Sequence, residues 1–410
     1  MVQASASPEK LQHNGLIVTN VSSAHFISHF HILTLPPLMP FISSALGIGI
    51  TELAVLLSLF NLTTTVLQTP AGILTDRVDA AKLLIGALVL AGAAFALVPL
   101  MPHYWVMVIA FIAAGAANAI YHPADYAILS EKIAKRTLGR AFSIHSFSGF
   151  FGSAVAPITM VYIASQLGWE AGFWLSAVLA FAVALLLILC RSSLRCDHTT
   201  RKVETKADGT PAEVVSSRSL LTSPALLNNT LVWALLGLGG IGVQSYAALT
   251  WYELHKVSLD FANLALSAFL LTMAFGVLLG GVIATKTDRH NLVAGLSLGG
   301  TGVMLVISGL FAMPEAVLLI VAAIGGLCNG IALPSRDIIV KSSVPSGAYG
   351  RAFAIVSTGL SVGGIIAPLV FGVMLDKGYL TAACAGMGLA FLLTVVLMMM
   401  PQGKAATSHH

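Results

Sequence analysis

The sequence predicts an all-α membrane protein in which twelve transmembrane helices form two parallel, pseudo-symmetric six-helix bundles. Three observations support this fold class. Of the 410 residues, 57% are apolar and only 9% are charged, whereas a soluble globular protein carries about 25% charged residues. The apolar residues form twelve runs, each long enough to supply the roughly 20 residues that a helix needs to cross a bilayer. The second half of the chain also repeats the pattern of the first.

A polar segment divides the twelve predicted spans into two groups of six. The spans lie at about 17–45, 52–75, 82–101, 104–130, 140–166, 169–190, 226–255, 260–285, 291–313, 316–341, 350–376 and 379–400. The predicted organisation is an N-terminal tail 1–14, a bundle 15–190, a polar linker 191–225, a second bundle 226–400 and a C-terminal tail 401–410.

The basic residues predict that both termini are cytoplasmic. Of the 21 Lys and Arg residues, only Lys256 and Lys377 then lie at outer ends of spans, and Arg336 lies within a span. All the others lie in cytoplasmic loops and tails, as the positive-inside rule expects. No cleavable signal peptide is expected, because the start of the chain is polar and the first apolar run is too long. The predicted location is the plasma membrane, which in a bacterium is the inner membrane.

An internal repeat relates the two bundles. Residues 118–157 align without a gap with residues 329–368. The matches are Asn118 with Asn329, Pro123 with Pro334, Gly-Arg-Ala-Phe at 139–142 with 350–353, Gly152 with Gly363, and Ala-Pro at 156–157 with 367–368. Because polar residues match as well as apolar ones, we interpret the halves as copies in the same orientation, an arrangement known from transporters.

The loop after the second span carries a motif on which a family resemblance rests. The sequence GILTDR at 72–77 matches the Gly-x-Leu-x-Asp-Arg pattern of the major facilitator superfamily, and Gly281 with 285–289 echoes it in the second half. Together with the six-plus-six spans, this makes the chain resemble that superfamily over nearly its whole length. The run YHPAD at 121–125 is similar to the fosmidomycin-resistance group of exporters.

The resemblance implies a secondary active transporter that works by alternating access. We expect proton-coupled efflux of a small organic compound or drug, by a monomer in the lipid bilayer, with no cofactor, no nucleic-acid partner and no enzymatic activity. One alternative is proton-coupled uptake of a small organic anion or zwitterion held by Arg336. A further alternative is transport of a transition metal or a metal chelate by the membrane histidines.

In this superfamily, spans 1, 4, 7 and 10 line the central cavity, and the predicted site residues lie mainly in these spans. Polar groups in hydrocarbon are costly, so they face a cavity or a partner. The predicted substrate-binding residues are His25, His29, Asn118, His122, His145, Gln244, Tyr246, Asn329 and Arg336. The predicted proton-coupling residues are Asp125, Asp337 and His29. A structural salt bridge of Arg336 with Asp125 or Asp337, and simple interhelical hydrogen bonding by the two Asn residues, remain open.

The stretch AHFISHFH places three histidines in the first span. On a helix, His25 and His29 lie about 40° apart in angle and ~6 Å apart in height, whereas His31 lies some 200° from His29. His122 and His145 have a similar depth on the cytoplasmic side, so we expect them to meet His25 and Asp125. Imidazole suits Zn²⁺, Cu²⁺ and Ni²⁺, which makes His25, His29 and His122 an alternative metal-ligand set beside protonation, substrate hydrogen bonding and packing.

Charged residues at cytoplasmic helix ends are expected to form the salt bridges that close an inner gate between the halves. These residues are Asp76, Arg77, Asp79, Arg140, Asp288, Arg289 and Arg351. The repeated Gly-Arg-Ala-Phe run favours gating over simple anchoring of helix ends at the membrane surface.

Overall fold

The computed structural model describes residues 8–75, 77–196, 222–343 and 349–400, with only the backbone given for 8–13, 135, 349–351 and 353. In this part of the chain the regular structure is helical. The helices are α1 Pro8–Ile32, α2 Leu35–Leu46, α3 Ile50–Thr75, α4 Ala80–Leu100, α5 Tyr104–Lys132, α6 Lys135–Leu167, α7 Trp169–Leu189, α8 Arg191–Leu194, α9 Pro224–His255, α10 Leu259–Ala284, α11 His290–Leu310, α12 Glu315–Ser342, α13 Tyr349–Asp376 and α14 Leu380–Met399.

Twelve segments of the described chain are long and apolar enough to cross a membrane. One of them, Asn14–Leu46, contains most of α1 together with α2, and each of the others corresponds to one long helix. A helix satisfies its own backbone hydrogen bonds, which a segment in hydrocarbon requires because water is absent there. The predicted twelve-helix, multi-pass membrane architecture is therefore confirmed.

The first span consists of two helices rather than the single run that the sequence predicts. Helix α1 ends at Ile32 and α2 begins at Leu35, with tight turns in which the Leu33 and Thr34 N–H groups donate to carbonyls three residues earlier. Pro36 and Pro37 have no N–H, so they cannot donate to the carbonyls of Ile32 and Leu33. At the second and third positions of α2 this lack has no cost, because the first N–H groups of a helix have no helical partner anyway.

The chain divides into two compact units. The first contains residues 1–48 and 59–201, and the second contains residues 49–58 and 202–410. The start of α3 thus groups with the second unit, where the N–H groups of Ile50 and Thr51 donate to the Asp376 carboxylate over 3.0 and 2.7 Å. The bundle boundaries given by the sequence stay a prediction.

The helices of each unit pair in the same way. In the first unit α1 packs on α6, while α4 packs on α5 and α7. In the second unit the corresponding pairs are α9 with α13, and α11 with α12 and α14. Aligned glycines permit the equivalent close approaches, because a Cβ on Gly152 would collide with the Phe26 carbonyl and one on Gly363 with the Ala234 carbonyl. Small residues commonly allow membrane helices to pack this closely.

The orientation of the spans in the membrane generates a testable prediction. With both termini cytoplasmic, a green fluorescent protein fused to the C-terminus should fluoresce, and alkaline phosphatase fused after Lys256 or Lys377 should be active. Phosphatase fused after Lys82 or Lys286 is the matched control and should be inactive. Active phosphatase at those two positions would show that the membrane orientation is reversed.

Candidate functional site

Four histidines and one aspartate meet inside the first unit. His25 and His29 come from α1, His122 and Asp125 from α5, and His145 from α6. Residues three or four apart share a helix face, so each of the first two helices presents a pair of these side chains. Helix α1 contacts both α5 and α6, which brings the three faces together. These five residues are called the histidine cluster below.

His25 lies at the centre of the histidine cluster. Its ring stacks on His145 with the ring centres 3.9 Å apart. It meets His29 and His122 edge-on, at centre distances of 4.6 and 5.0 Å. Sequence reasoning expected His122 and His145 to meet His25 and Asp125, and the structure places both of these rings and His29 against His25, with Asp125 beside His25 and His145.

Asp125 is the acidic member of the histidine cluster and is fully buried. One carboxylate oxygen lies 3.6 Å from Nδ1 of His25 and 3.7 Å from Nε2 of His145. These distances exceed those of a hydrogen bond, and neither oxygen has a hydrogen-bond partner among the described residues. A buried carboxylate without a full counter-charge is costly, so this position is suited to binding a proton or another cation.

Helix α6 supplies two further positions at the histidine cluster that were not among the predicted site residues. A Cβ on Gly149 would collide with the rings of His25 and His29, so the glycine provides the space in which these rings lie. The Ser153 hydroxyl is 3.1 Å from Nδ1 of His29 and is hydrogen-bonded to it. Both residues follow His145 at intervals of four, and this spacing is the signal that could have identified them.

His31 lies apart from the histidine cluster, as its helical position predicts. Its Nε2 is 3.1 Å from the Ser176 carbonyl, to which it donates when protonated there. Its ring meets Phe95 edge-on at 4.6 Å. These contacts belong to the packed interior of the first unit.

The predicted substrate residues outside the cluster lie in several environments. Asn118 donates to the Thr64 hydroxyl over 3.4 Å, and Asn329 is buried in α12. Gln244 is half-buried in α9. Tyr246 is fully buried, and its hydroxyl donates to the Pro368 carbonyl over 2.9 Å. A role of these residues in binding substrate stays a prediction.

Arg336 has two partners inside the second unit. Its Nε and Nη2 donate to one carboxylate oxygen of Asp337 over 3.0 and 2.8 Å. Its guanidinium lies 4.1 Å from the centre of the Trp233 ring, an attractive cation–π geometry that sequence reasoning did not foresee. Of the two carboxylates considered for Arg336, Asp337 is therefore its partner, while Asp125 lies among histidines.

The predicted gate residues are placed only in part. Asp79 caps α4 by accepting from Ala81 N–H over 3.2 Å, and its carboxylate is 3.9 Å from Nη2 of Arg191. Both partners belong to the first unit. Four further gate residues are exposed: Arg77, Arg140, Asp288 and Arg289. Asp76 and the side chain of Arg351 lie outside the described residues, and the gate itself stays a prediction.

Cys196 lies beside Asp79 at the end of the first unit. Its N–H donates to the Asp79 carboxylate over 3.3 Å. Burial, together with nearby Glu131, raises the pKa of the Cys196 thiol to about 12, so the thiol is protonated and unreactive at neutral pH.

Comparison with known proteins identifies the family. The family model of the Major Facilitator Superfamily matches residues 21–261 and 245–409. The chain belongs to the major facilitator superfamily. It is 21% identical over 403 residues to the MFS-type transporter YfnC of Bacillus subtilis, covering 96% of this chain and 95% of that protein. It is 22% identical over 298 residues to the fosmidomycin resistance protein of Escherichia coli, covering 72% and 71%.

A solved member of the superfamily has the same fold. The bacterial homologue of the human lysosomal transporter Spinster, in an inward-facing and unoccupied conformation, superposes with a TM-score of 0.70 at 14% identity. The match covers 96% of this chain and 95% of that one. The superfamily assignment made from the sequence is confirmed, and the chain is a multi-pass membrane protein and a secondary transporter.

The contact of Gly149 with two histidines generates a prediction. Gly149→Ala should force the rings of His25 and His29 apart, and overpacking of this kind costs about 1–3 kcal/mol. The apparent melting temperature of the purified protein should fall by a few degrees. Gly86→Ala is the matched control, because a Cβ there has no atom within 4 Å. Equal melting temperatures for the two variants would contradict the close packing of α6 on the histidine cluster.

Proposed function

We propose that this transporter is a proton-coupled exporter of a small organic compound and that it binds its coupling proton at the histidine cluster. The observation that carries the proposal is Asp125, a fully buried carboxylate whose nearest charged or chargeable neighbours are imidazoles. Export is supported by the similarity to a protein named for fosmidomycin resistance.

The physical argument starts from the cost of a charge in the membrane. Ionisable side chains within membrane helices are rare and commonly mark ion or proton pathways. Histidine exchanges protons near neutral pH, so His25 and His145 are suitable donors to Asp125 and acceptors from it. A proton gained or lost here changes the net charge of a fully buried group. A conformation that admits water to the cluster therefore has a different affinity for the proton from one that excludes water.

Coupling requires that the proton bind the two conformations of the transporter unequally, since a ligand shifts an equilibrium only by its differential affinity. The histidine cluster supplies such a difference because its members come from three helices. Movement of α1 relative to α5 or α6 would change the distances around Asp125. Coupling by this route does not require the proton and the substrate to bind next to each other.

Uptake of an organic anion is the second candidate, and Arg336 is the observation that favours it. Its guanidinium is half-buried, and it directs two N–H groups at a carboxylate in the present structure. The carboxylate of a substrate could replace Asp337 and accept from both N–H groups. The direction of transport separates this candidate from export.

Asp125→Asn tests the proposed proton site. Asparagine has nearly the same shape but carries no charge, so the variant should still bind substrate while losing proton-driven transport. A thermal-shift screen that begins with fosmidomycin and continues through organic acids and amino acids identifies a compound that binds. Proteoliposomes loaded with pyranine then report whether this compound moves protons.

The matched control is Asp260→Asn, an exposed carboxylate in the first turn of α10. We expect compound-dependent proton movement in the unchanged protein and in Asp260→Asn, and its loss in Asp125→Asn. Proton movement at the unchanged rate in Asp125→Asn would refute the proton site. Accumulation of the compound on the cytoplasmic side would refute export and favour uptake.

A further inference from the structure

Three imidazoles of the histidine cluster surround a common point. His25, His29 and His122 each offer a ring nitrogen, and the three ligand atoms lie within 4.8 Å of one another. The rings are steeply inclined to each other, at 64°, 63° and 86°. Rings that share a metal ion direct their in-plane lone pairs at it from different sides, and inclined rings achieve this.

The distances between these rings are those that a metal ion requires. A tetrahedral Zn²⁺ binds imidazole nitrogen at about 2.0–2.1 Å, which places the centres of neighbouring rings about 5 Å apart. The observed centre distances are 4.6, 5.0 and 6.1 Å. Small side-chain rotations are enough to complete the coordination. By contrast, His145 stacks nearly parallel to His25, at 24°, and two stacked rings do not converge on one ion.

A hydroxyl oxygen orients one of the histidines as a metal ligand, and a carboxylate oxygen lies close to a second without a hydrogen bond to it. Ser153 is hydrogen-bonded to Nδ1 of His29, and Asp125 lies 3.6 Å from Nδ1 of His25. When Nδ1 carries the proton, Nε2 keeps its lone pair for a metal ion. Metal-ligating histidines almost always have an oxygen partner of this kind.

The burial of the three rings leaves an approach for an ion. His25 is buried, whereas His29 and His122 are half-buried. Nδ1 of His122 has no hydrogen-bond partner among the described residues. The carboxylate of Asp125 adds a negative charge that offsets part of the charge of a divalent ion. Imidazole selects Zn²⁺, Cu²⁺, Ni²⁺ and similar ions, whereas Mg²⁺ and Ca²⁺ prefer oxygen ligands.

We propose that His25, His29 and His122 form a binding site for a divalent transition-metal ion, with Ser153 orienting His29 and the Asp125 carboxylate beside His25 supplying negative charge. Three protein ligands leave a fourth tetrahedral position for water or for a donor atom of a bound compound. The site shares His25 and Asp125 with the proposed proton site, but metal binding does not require that a proton drive transport. It adds to the proposed exporter a metal-dependent step at the same cluster.

Calorimetric titration of the purified full-length protein with Zn²⁺ tests the site. All variants carry His409→Ala and His410→Ala, so that the two terminal histidines contribute no ligand. We expect one Zn²⁺ per chain, and a loss of affinity of at least about 100-fold in each of His25→Ala, His29→Ala and His122→Ala. Asp125→Asn should weaken binding by about 10- to 100-fold, the usual effect of removing an outer-shell partner.

His31→Ala is the matched control, because His31 lies on the same helix but outside the cluster. It should bind Zn²⁺ like the unchanged protein. Co²⁺ should give the visible absorption bands of tetrahedral coordination in the unchanged protein and none in His25→Ala. The proposal would be overturned if the unchanged protein did not bind Zn²⁺ stoichiometrically. It would also be overturned if all three ligand variants bound Zn²⁺ as tightly as the unchanged protein. Each of these results is separate from the proton-transport assay, so either proposal can fail alone.

Discussion

A polar group inside a membrane must find its partner within the protein, and the histidine cluster is organised by this constraint. The Asp125 carboxylate cannot be solvated by lipid, and it lies between imidazoles from two neighbouring helices. Those imidazoles can approach one another because α6 carries Gly149 where it meets α1. The glycine that permits close packing of α6 on α1 therefore also permits the contacts within the histidine cluster.

The internal repeat preserves the packing of the two units but not their chemistry. Gly152 and Gly363 occupy equivalent helix contacts. The positions aligned with His122, Asp125 and His145 are Leu333, Arg336 and Val356. The first unit thus concentrates groups that bind cations, whereas the second places a cation, Arg336, against Trp233.

Most of the fold could be predicted from the sequence because bilayer thickness imposes one length on every span. The sequence marks a helix break at Pro36, Pro37 and Pro40, which lack N–H groups. The end of α1 at Ile32, a few residues earlier, was not predicted, since hydrophobicity is continuous there. The proximity of His25, His122 and Asp125 was predicted from their helical spacing and their similar depth in the membrane. The contact of Ser153 with His29 was not predicted, because it depends on how α6 rotates against α1. The stacking of Arg336 on Trp233 depends in the same way on the rotation of α12 against α9.

The central claim is that Asp125 exchanges a proton within the membrane. The most direct test is infrared difference spectroscopy of the protein in lipid as the pH is changed, observing the C=O stretch of a protonated carboxyl group. If Asp125 exchanges a proton, a carboxylic-acid band should appear and disappear with pH, be absent from Asp125→Asn and persist in Asp260→Asn. A spectrum in which Asp125→Asn retains every pH-dependent carboxyl band would contradict it.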